Sequence, residues 1–424
     1  MVFFLIVLIT SLIIYCTIKI PGIALAYFLF FQEISLILFV QIGNHSLRFF
    51  YYAILLLIFI LCNMKGELKK SKVIYGLKNP IFIGISFLII GMLFQCVFAD
   101  TYISLDIQII IKYLTTYAPL VMITTLFLSK KQTLYDLGYG IVIFGLLYFF
   151  ILIFIADIGS IYFKNRRMIQ ELSGVNPISI GRTFGMLFIL SCVYLDCMKP
   201  KKLFKAILIM AMISSLYMMF FVSTRQVIIS VIMVLVIYGF IRASDIKSAA
   251  KYSFLVLSIF AIGFLLLNFF EFTILNRLRL LQNYQEMYRF HRYQIGLQIL
   301  PNISFWGFGA GYFSYLTGLG HAHNLFLGMA IEYGFVGIMS YTLVVGTGLV
   351  QSIKIVKLPN ENYRTTVFIL IWYMFIISTM FSGDSTGDRS LWTLSGLLAT
   401  IMYFNKCAIL SGSPTPKIGR LKAI

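Results

Sequence analysis

The sequence predicts an all-α fold: a polytopic bundle of transmembrane helices with a helical loop on one side. Two observations predict it. Sixty per cent of the 424 residues are hydrophobic and only 12% are charged, whereas a soluble domain carries about 25% charged residues. The apolar residues also come in unbroken blocks, at 2–18, 81–98, 138–156, 205–222 and 252–270. A helix of about 20 such residues spans a hydrocarbon core. Lipid offers no partner for backbone N–H and C=O groups, so the blocks must be helices or closed-barrel strands. Barrel strands alternate polar and apolar residues over about ten positions. These runs do not alternate, so they read as helices.

Taken in order, spans are expected near 2–19, 22–42, 47–62, 80–98, 107–128, 138–157, 179–197, 205–222, 226–241, 252–270, 323–352, 365–381 and 390–404. The total is thirteen, within a range of twelve to fourteen. Only Pro21-Gly22 and Gly43-Asn44-His45 separate the first three. The first block has no basic residue before Lys19 and no small-residue cleavage site. It is therefore expected to be a retained span and not a cleaved signal peptide. By segment, 1–270 is expected to hold transmembrane helices with short loops and 271–322 to form a large outer loop. Residues 323–404 hold the C-terminal transmembrane helices, and 405–424 form a cytoplasmic tail.

Orientation follows from lysine and arginine. Short basic loops at Lys65–Lys78, Lys130-Lys131, Lys199–Lys205, Arg242–Lys251, Lys354–Arg364 and the tail from Lys406 recur after every second span. Taken as cytoplasmic with Lys19, they hold almost only lysine, with Arg242, Arg364 and Arg420 the exceptions. The remaining basic residues are ten Arg with Lys112 and Lys164. Either residue type would serve to orient helices. Arg adds a planar fork that grips phosphate or carboxylate through two bonds. An Arg-rich outer face suits a protein that handles pyrophosphate or acidic sugars there. The bland alternative is Arg snorkelling at helix ends.

The net charge of +19 would suggest nucleic acid in a soluble protein. Here it orients helices, and no nucleic-acid partner is expected. The six cysteines, Cys16, Cys62, Cys96, Cys192, Cys197 and Cys407, lie in or beside apolar blocks. No outer loop carries a pair, so neither a disulfide framework nor a metal site is expected.

Two outer loops are long enough to carry a site. The first, about 158–178, contains Lys164, Arg166, Arg167 and Glu171. The second, about 271–322, has Leu, Tyr, Phe and Trp at helical spacing around Arg277, Arg279, Arg289, His291 and Arg292. It is expected to form one or two helices near the membrane surface. Arg289 and Arg292, three apart, share a helix face. Trp306-Gly-Phe-Gly-Ala-Gly-Tyr312 follows, with glycines that let backbone approach a ligand or another helix. It lacks the strand and spacing of a dinucleotide fingerprint, and a tight turn is the simpler account.

His321-Ala-His323-Asn324 stands at the mouth of the next span and holds two of the four histidines. Histidine suits proton transfer near neutral pH. The alternative is a helix start capped by Asn or His. Arg225, in Ser223-Thr-Arg-Gln226, occupies a minimal outer turn between apolar runs. A charge so close to hydrocarbon faces a cavity or partner, or else snorkels to headgroups. Arg182 stands one turn into its span. Glu33 is the acid inside an early span. Glu332 lies two and a half turns past His323, so it points away and is expected to brace a neighbouring helix.

Four of these features occur in one order: Arg225 in a tight outer turn, Arg289 and Arg292 before a helix, the Gly-rich Trp306–Gly311 stretch, and His323-Asn324 followed by Glu332-Tyr-Gly334 and Gly337. In that order, over about 220–340, the chain resembles the O-antigen polymerase (Wzy) and O-antigen ligase family of membrane glycosyltransferases. The resemblance implies a GT-C-like helical fold and a metal-independent enzyme without cofactor in the bacterial inner membrane. Its substrate would be an undecaprenyl-pyrophosphate-linked oligosaccharide, handled on the periplasmic face. A chain-length regulator protein would be a further partner.

By the same resemblance, His323 would be the catalytic base, with Arg225 beside it in the catalytic set. Arg289, Arg292, Arg277, Arg279, His321, Asn324, Arg166 and Arg167 would contact substrate. Arg166-Arg167 match the family's basic motif only loosely, and His321 is an additional imidazole. The choice of His323 over His321 rests on adjacency to Asn324. The first expectation is a polymerase joining repeat units, and the second a ligase passing the finished chain to lipid A–core. A transporter or flippase of lipid-linked sugar is the alternative of another class. Transporters place charged or broken segments at mid-membrane, whereas these spans are largely free of such charge apart from Glu33, which favours surface chemistry over passage.

Overall fold

A computed structural model describes residues 2–43, 47–64, 70–98, 118–124, 131–156, 175–198, 200–222, 224–243, 246–269, 286–318, 321–356, 363–382 and 389–410. Among these residues there are 17 α-helices and no strand. They are α1 (Val2–Lys19), α2 (Pro21–Ala26), α3 (Glu33–Gln41), α4 (Leu47–Met64), α5 (Lys70–Leu77), α6 (Pro80–Phe98), α7 (Ala118–Met122), α8 (Lys131–Phe154) and α9 (Pro177–Cys197). Then follow α10 (Lys202–Phe221), α11 (Arg225–Arg242), α12 (Ile246–Phe269), α13 (Glu286–Ile299), α14 (Tyr312–Thr317), α15 (Leu325–Val356), α16 (Tyr363–Ser382) and α17 (Arg389–Leu410).

Seven of these helices are long and apolar enough to cross a membrane, or eight if one bent pair counts as a single span. The fold is therefore that of an all-α, multi-pass membrane protein. The expected span at 107–128 lies largely outside the described residues. Each of the other twelve expected spans falls on helix.

The sequence explains where several helices begin. Asn79 and Asn176 each precede a proline at the first helical position, where the missing N–H costs nothing. Each Asn side chain accepts a hydrogen bond from the amide two residues on, Ile81 at 3.0 Å and Ile178 at 2.9 Å. Asn-Pro thus serves α6 and α9 as cap and first turn.

The expected span at 22–42 is not straight. A five-residue π-helix, Tyr27–Phe31, follows α2, and α3 leaves it at 66°. Extra residues of this kind kink helices. The π segment is buried, and freed groups near it find partners. Tyr52 Oη donates to the Phe28 carbonyl at 3.0 Å, and Ser35 Oγ donates to that of Gln32 at 2.6 Å.

By contacts the chain divides into two units that interleave along the sequence. The first comprises Met1–Glu67, Lys130–Tyr288 and Tyr373–Ser378. Its core packs α2 against α8 and α9 against α10 and α11. Tyr148 of α8 stacks on Phe184 of α9 with ring centroids 5.6 Å apart. The second comprises Leu68–Ser129, Arg289–Trp372 and Thr379–Ile424. There α15 packs along α6 and α17, and Trp372 Nε1 donates to Ser395 Oγ at 2.9 Å in the buried interior.

The axis of the second unit is broken. In α15, Gly334 takes φ 59° and ψ −142°, a combination that only glycine adopts without strain. The Gly-rich stretch enters this break. Phe308 N donates to the Ile331 carbonyl at 3.1 Å, and Gly309 N to that of Glu332 at 3.0 Å. These bonds satisfy carbonyls at the point where the helix turns, as a buried helix end requires. Gln95 of α6, 3% exposed, donates through Nε2 to the carbonyls of both Trp306 and Glu332, the latter at 2.6 Å. The alternate glycines thus serve close approach to another helix. Gly307, Gly309 and Gly311 all have positive φ.

Candidate functional site

In the second unit the candidate residues gather where α13, α14 and the start of α15 meet. Phe313 of α14, Ala322, and Leu327 and Ile331 of α15 form a small buried cluster. Tyr293, Ile299, Phe308 and Tyr312 pack on it. This cluster fixes the loop helices on the first half of α15. The turn His321–Asn324 lies on its edge.

His323 adopts φ 58°, the one positive φ outside glycine among the described residues. A side chain in that region carries strain that the surroundings must hold in place. Several contacts do so. Asn324 Oδ1 accepts from Leu327 N at 3.0 Å and so caps α15, while its Nδ2 donates to the Met380 carbonyl of α16 at 3.1 Å. Arg292 Nη1 donates to the His321 carbonyl at 3.2 Å, and Tyr293 Oη reaches the His323 carbonyl at 3.5 Å. The two imidazoles stand edge to face, 4.3 Å between ring centroids. Both residues are partly exposed, with Nδ1 of His323 buried.

These bonds refine the expectations for single residues. Asn324 is engaged on both sides of its amide, as cap and as tie to α16. Arg292 is only 7% exposed and grips backbone, which makes it a brace of the histidine turn. Arg289 lies in the first turns of α13, and its side chain is outside the described set. Arg166, Arg167, Arg277 and Arg279, with Lys164 and Glu171, also lie outside the described residues. Glu332 is buried, and its carbonyl belongs to the α15 break.

Arg225 belongs to the first unit, where it opens α11 and is partly exposed. Its neighbours Thr224 and Gln226 are buried. Thr224 Oγ1 and Gln226 Nε2 have no hydrogen-bond partner among the described residues. Arg182, 8% exposed, donates through Nε to Ser378 Oγ at 2.8 Å.

One further constellation was hidden in the sequence. Glu33 stands at the start of α3, immediately past the π-helix, and its carboxylate accepts from Tyr148 Oη at 2.9 Å and from Ser179 Oγ. The acid inside an apolar run was the visible signal; its two partners lie 115 and 146 residues away. Among the described residues no group of three or more His, Cys, Asp or Glu is gathered as metal ligands.

Fold and site together define the class: a multi-pass, all-α membrane protein with a strained histidine turn at the mouth of a broken helix. No family model matches the chain, and no curated protein matches it.

Proposed function

We propose that the chain is a glycosyltransferase of the polymerase type in the bacterial inner membrane. It joins oligosaccharide repeat units carried on undecaprenyl pyrophosphate, working on the periplasmic face. The observation that carries this reading is the histidine turn, because strain of this kind persists where a side chain is held for use. An acceptor hydroxyl attacks the anomeric carbon of the donor sugar, and His323 takes the hydroxyl proton. The bond to pyrophosphate breaks, and Arg289, in the same unit as the histidine turn, stabilises the departing anion without a metal ion. Anchoring both substrates in one bilayer supplies proximity. His321 touches the base, and Arg292 and Asn324 hold it.

The test is the purified protein with one substrate, an undecaprenyl-pyrophosphate repeat unit, and no lipid A–core. A ladder of longer lipid-linked chains supports the polymerase. Product only after lipid A–core is added makes the chain a ligase.

A second reading, a transporter of lipid-linked sugar, is favoured by the bent helix with Glu33 at its break. Discontinuous helices with charged groups at the break mark transport sites. Movement of substrate across proteoliposomes without bond formation would select it.

A further inference from the structure

The break in α15 divides it into a first half, Leu325–Tyr333, and a longer second half. The histidine turn caps the free end of the first half, and the Gly-rich plug grips the other end. Three main-chain bonds join plug and helix: Phe308 N and Gly309 N donate to the end of the first half, and Val336 N of the second half donates to the Phe305 carbonyl at 3.4 Å. One side chain, from α6, bonds to both partners at once. Gln95 Nε2 has two hydrogens, and one goes to the Trp306 carbonyl of the plug and the other to the Glu332 carbonyl of the helix. Phe94, beside it, stacks on the Trp306 ring at 5.2 Å.

We propose that Gln95 is a positioning residue for the histidine turn: its amide sets the angle at which the first half of α15 leaves the break. The effect is a lever. Nine residues at a rise of 1.5 Å make an arm of about 14 Å. A change of about 4° at the break then moves the His321–Asn324 end by about 1 Å. A displacement of that size costs about 100-fold where a base must meet its proton. Gln95 touches no substrate. It acts through the Glu332 and Trp306 carbonyls, and the plug carries the constraint into α14, whose Phe313 packs against Ala322 and Leu327.

The activity arm rests on the polymerase reading; the exchange arm does not. Gln95→Leu removes both donors, and Gln95→Glu offers one hydrogen when protonated and repels both carbonyls when ionised. Each is purified in detergent and followed by amide hydrogen exchange over 304–311 and 321–327, and by turnover of the lipid-linked repeat. The expected result for Gln95→Leu is exchange about tenfold faster in both segments, where local opening governs exchange. Its kcat falls about 100-fold, while KM stays within about twofold because the substrate contacts remain. Gln95→Glu keeps the shape of the side chain but, ionised at about pH 8, turns acceptors toward both carbonyls, so its kcat at that pH falls at least as far. A residue that only stabilised the fold would lower the yield of folded protein and leave kcat per folded molecule unchanged. Unchanged exchange in both segments overturns the clamp, and faster exchange with unchanged kcat overturns the positioning role. Wild-type protein that turns over no substrate overturns the polymerase reading, and with it the catalytic purpose of the lever, while exchange still decides whether Gln95 sets the joint.

Discussion

Gly307 and Gly334 meet backbone to backbone. A Cβ built on Gly307 would stand 2.5 Å from the Gly334 nitrogen, so neither residue has room for a side chain. Both also have positive φ, 81° and 59°.

Gly334→Ala should therefore be among the most damaging single-methyl changes in the chain. It meets both a forbidden backbone region and the plug, at a combined cost of about 3 kcal/mol or more. Thermal unfolding in mild detergent reads this directly. A melting temperature equal to wild type would show that the plug does not occupy the break.

Changes at His323 should separate stability from activity. His323→Gly relieves the strain of φ 58° and should stabilise the protein by about 1 kcal/mol, yet it removes the proposed base and should abolish chain growth. Such opposition is the usual signature of a strained functional residue. His323→Ala should abolish growth as well, with membrane protein level unchanged. Chain growth near the wild-type rate in either variant removes His323 as the base.

Arg225→Lys tests whether the guanidinium grips phosphate. Lysine keeps the charge and loses the two-pronged fork, so activity should fall by about tenfold or more if Arg225 holds the leaving group through paired bonds. An Arg that only reaches for headgroups would tolerate the change. A silent Arg225→Lys with an inactive Arg225→Ala would leave charge as the sole requirement.

The orientation can be checked without any substrate. Asn283→Cys, in a background where the native cysteines are replaced, should react with an impermeant thiol reagent applied to intact cells. Labelling only after lysis would invert the sidedness derived from the basic loops.

The helices were legible because hydrocarbon allows so little else: apolar runs of the right length must be helices, and Asn79-Pro80 and Asn176-Pro177 mark two starts. Bends were not legible. A glycine inside a membrane helix is ordinary, and nothing near Gly334 in the sequence distinguishes it from Gly328 or Gly337; what breaks the helix is a segment some 25 residues earlier that supplies substitute amide donors. The expected span at 22–42 likewise hid its π-helix, because Tyr27–Phe31 reads as uninterrupted apolar sequence.

At the site, spacing identified the histidine turn and the Arg289–Arg292 pair but not the direction of their side chains. Arg292 turned toward a carbonyl, and Asn324 toward a helix start, where the sequence had offered both for substrate. The cap was one of the two readings open for Asn324. The Glu33 constellation was legible only as a lone acid, since its partners come from α8 and α9.

The joint at Gly334 is held mainly by amides and carbonyls, which every residue type possesses. Apart from the glycines and Gln95, the identities of the residues around it are therefore weakly constrained by the joint itself. A lineage can exchange most side chains in Ser304–Tyr312 and keep the bend. Common descent in such a protein would survive as a shape and a few spaced glycines long after its letters had diverged.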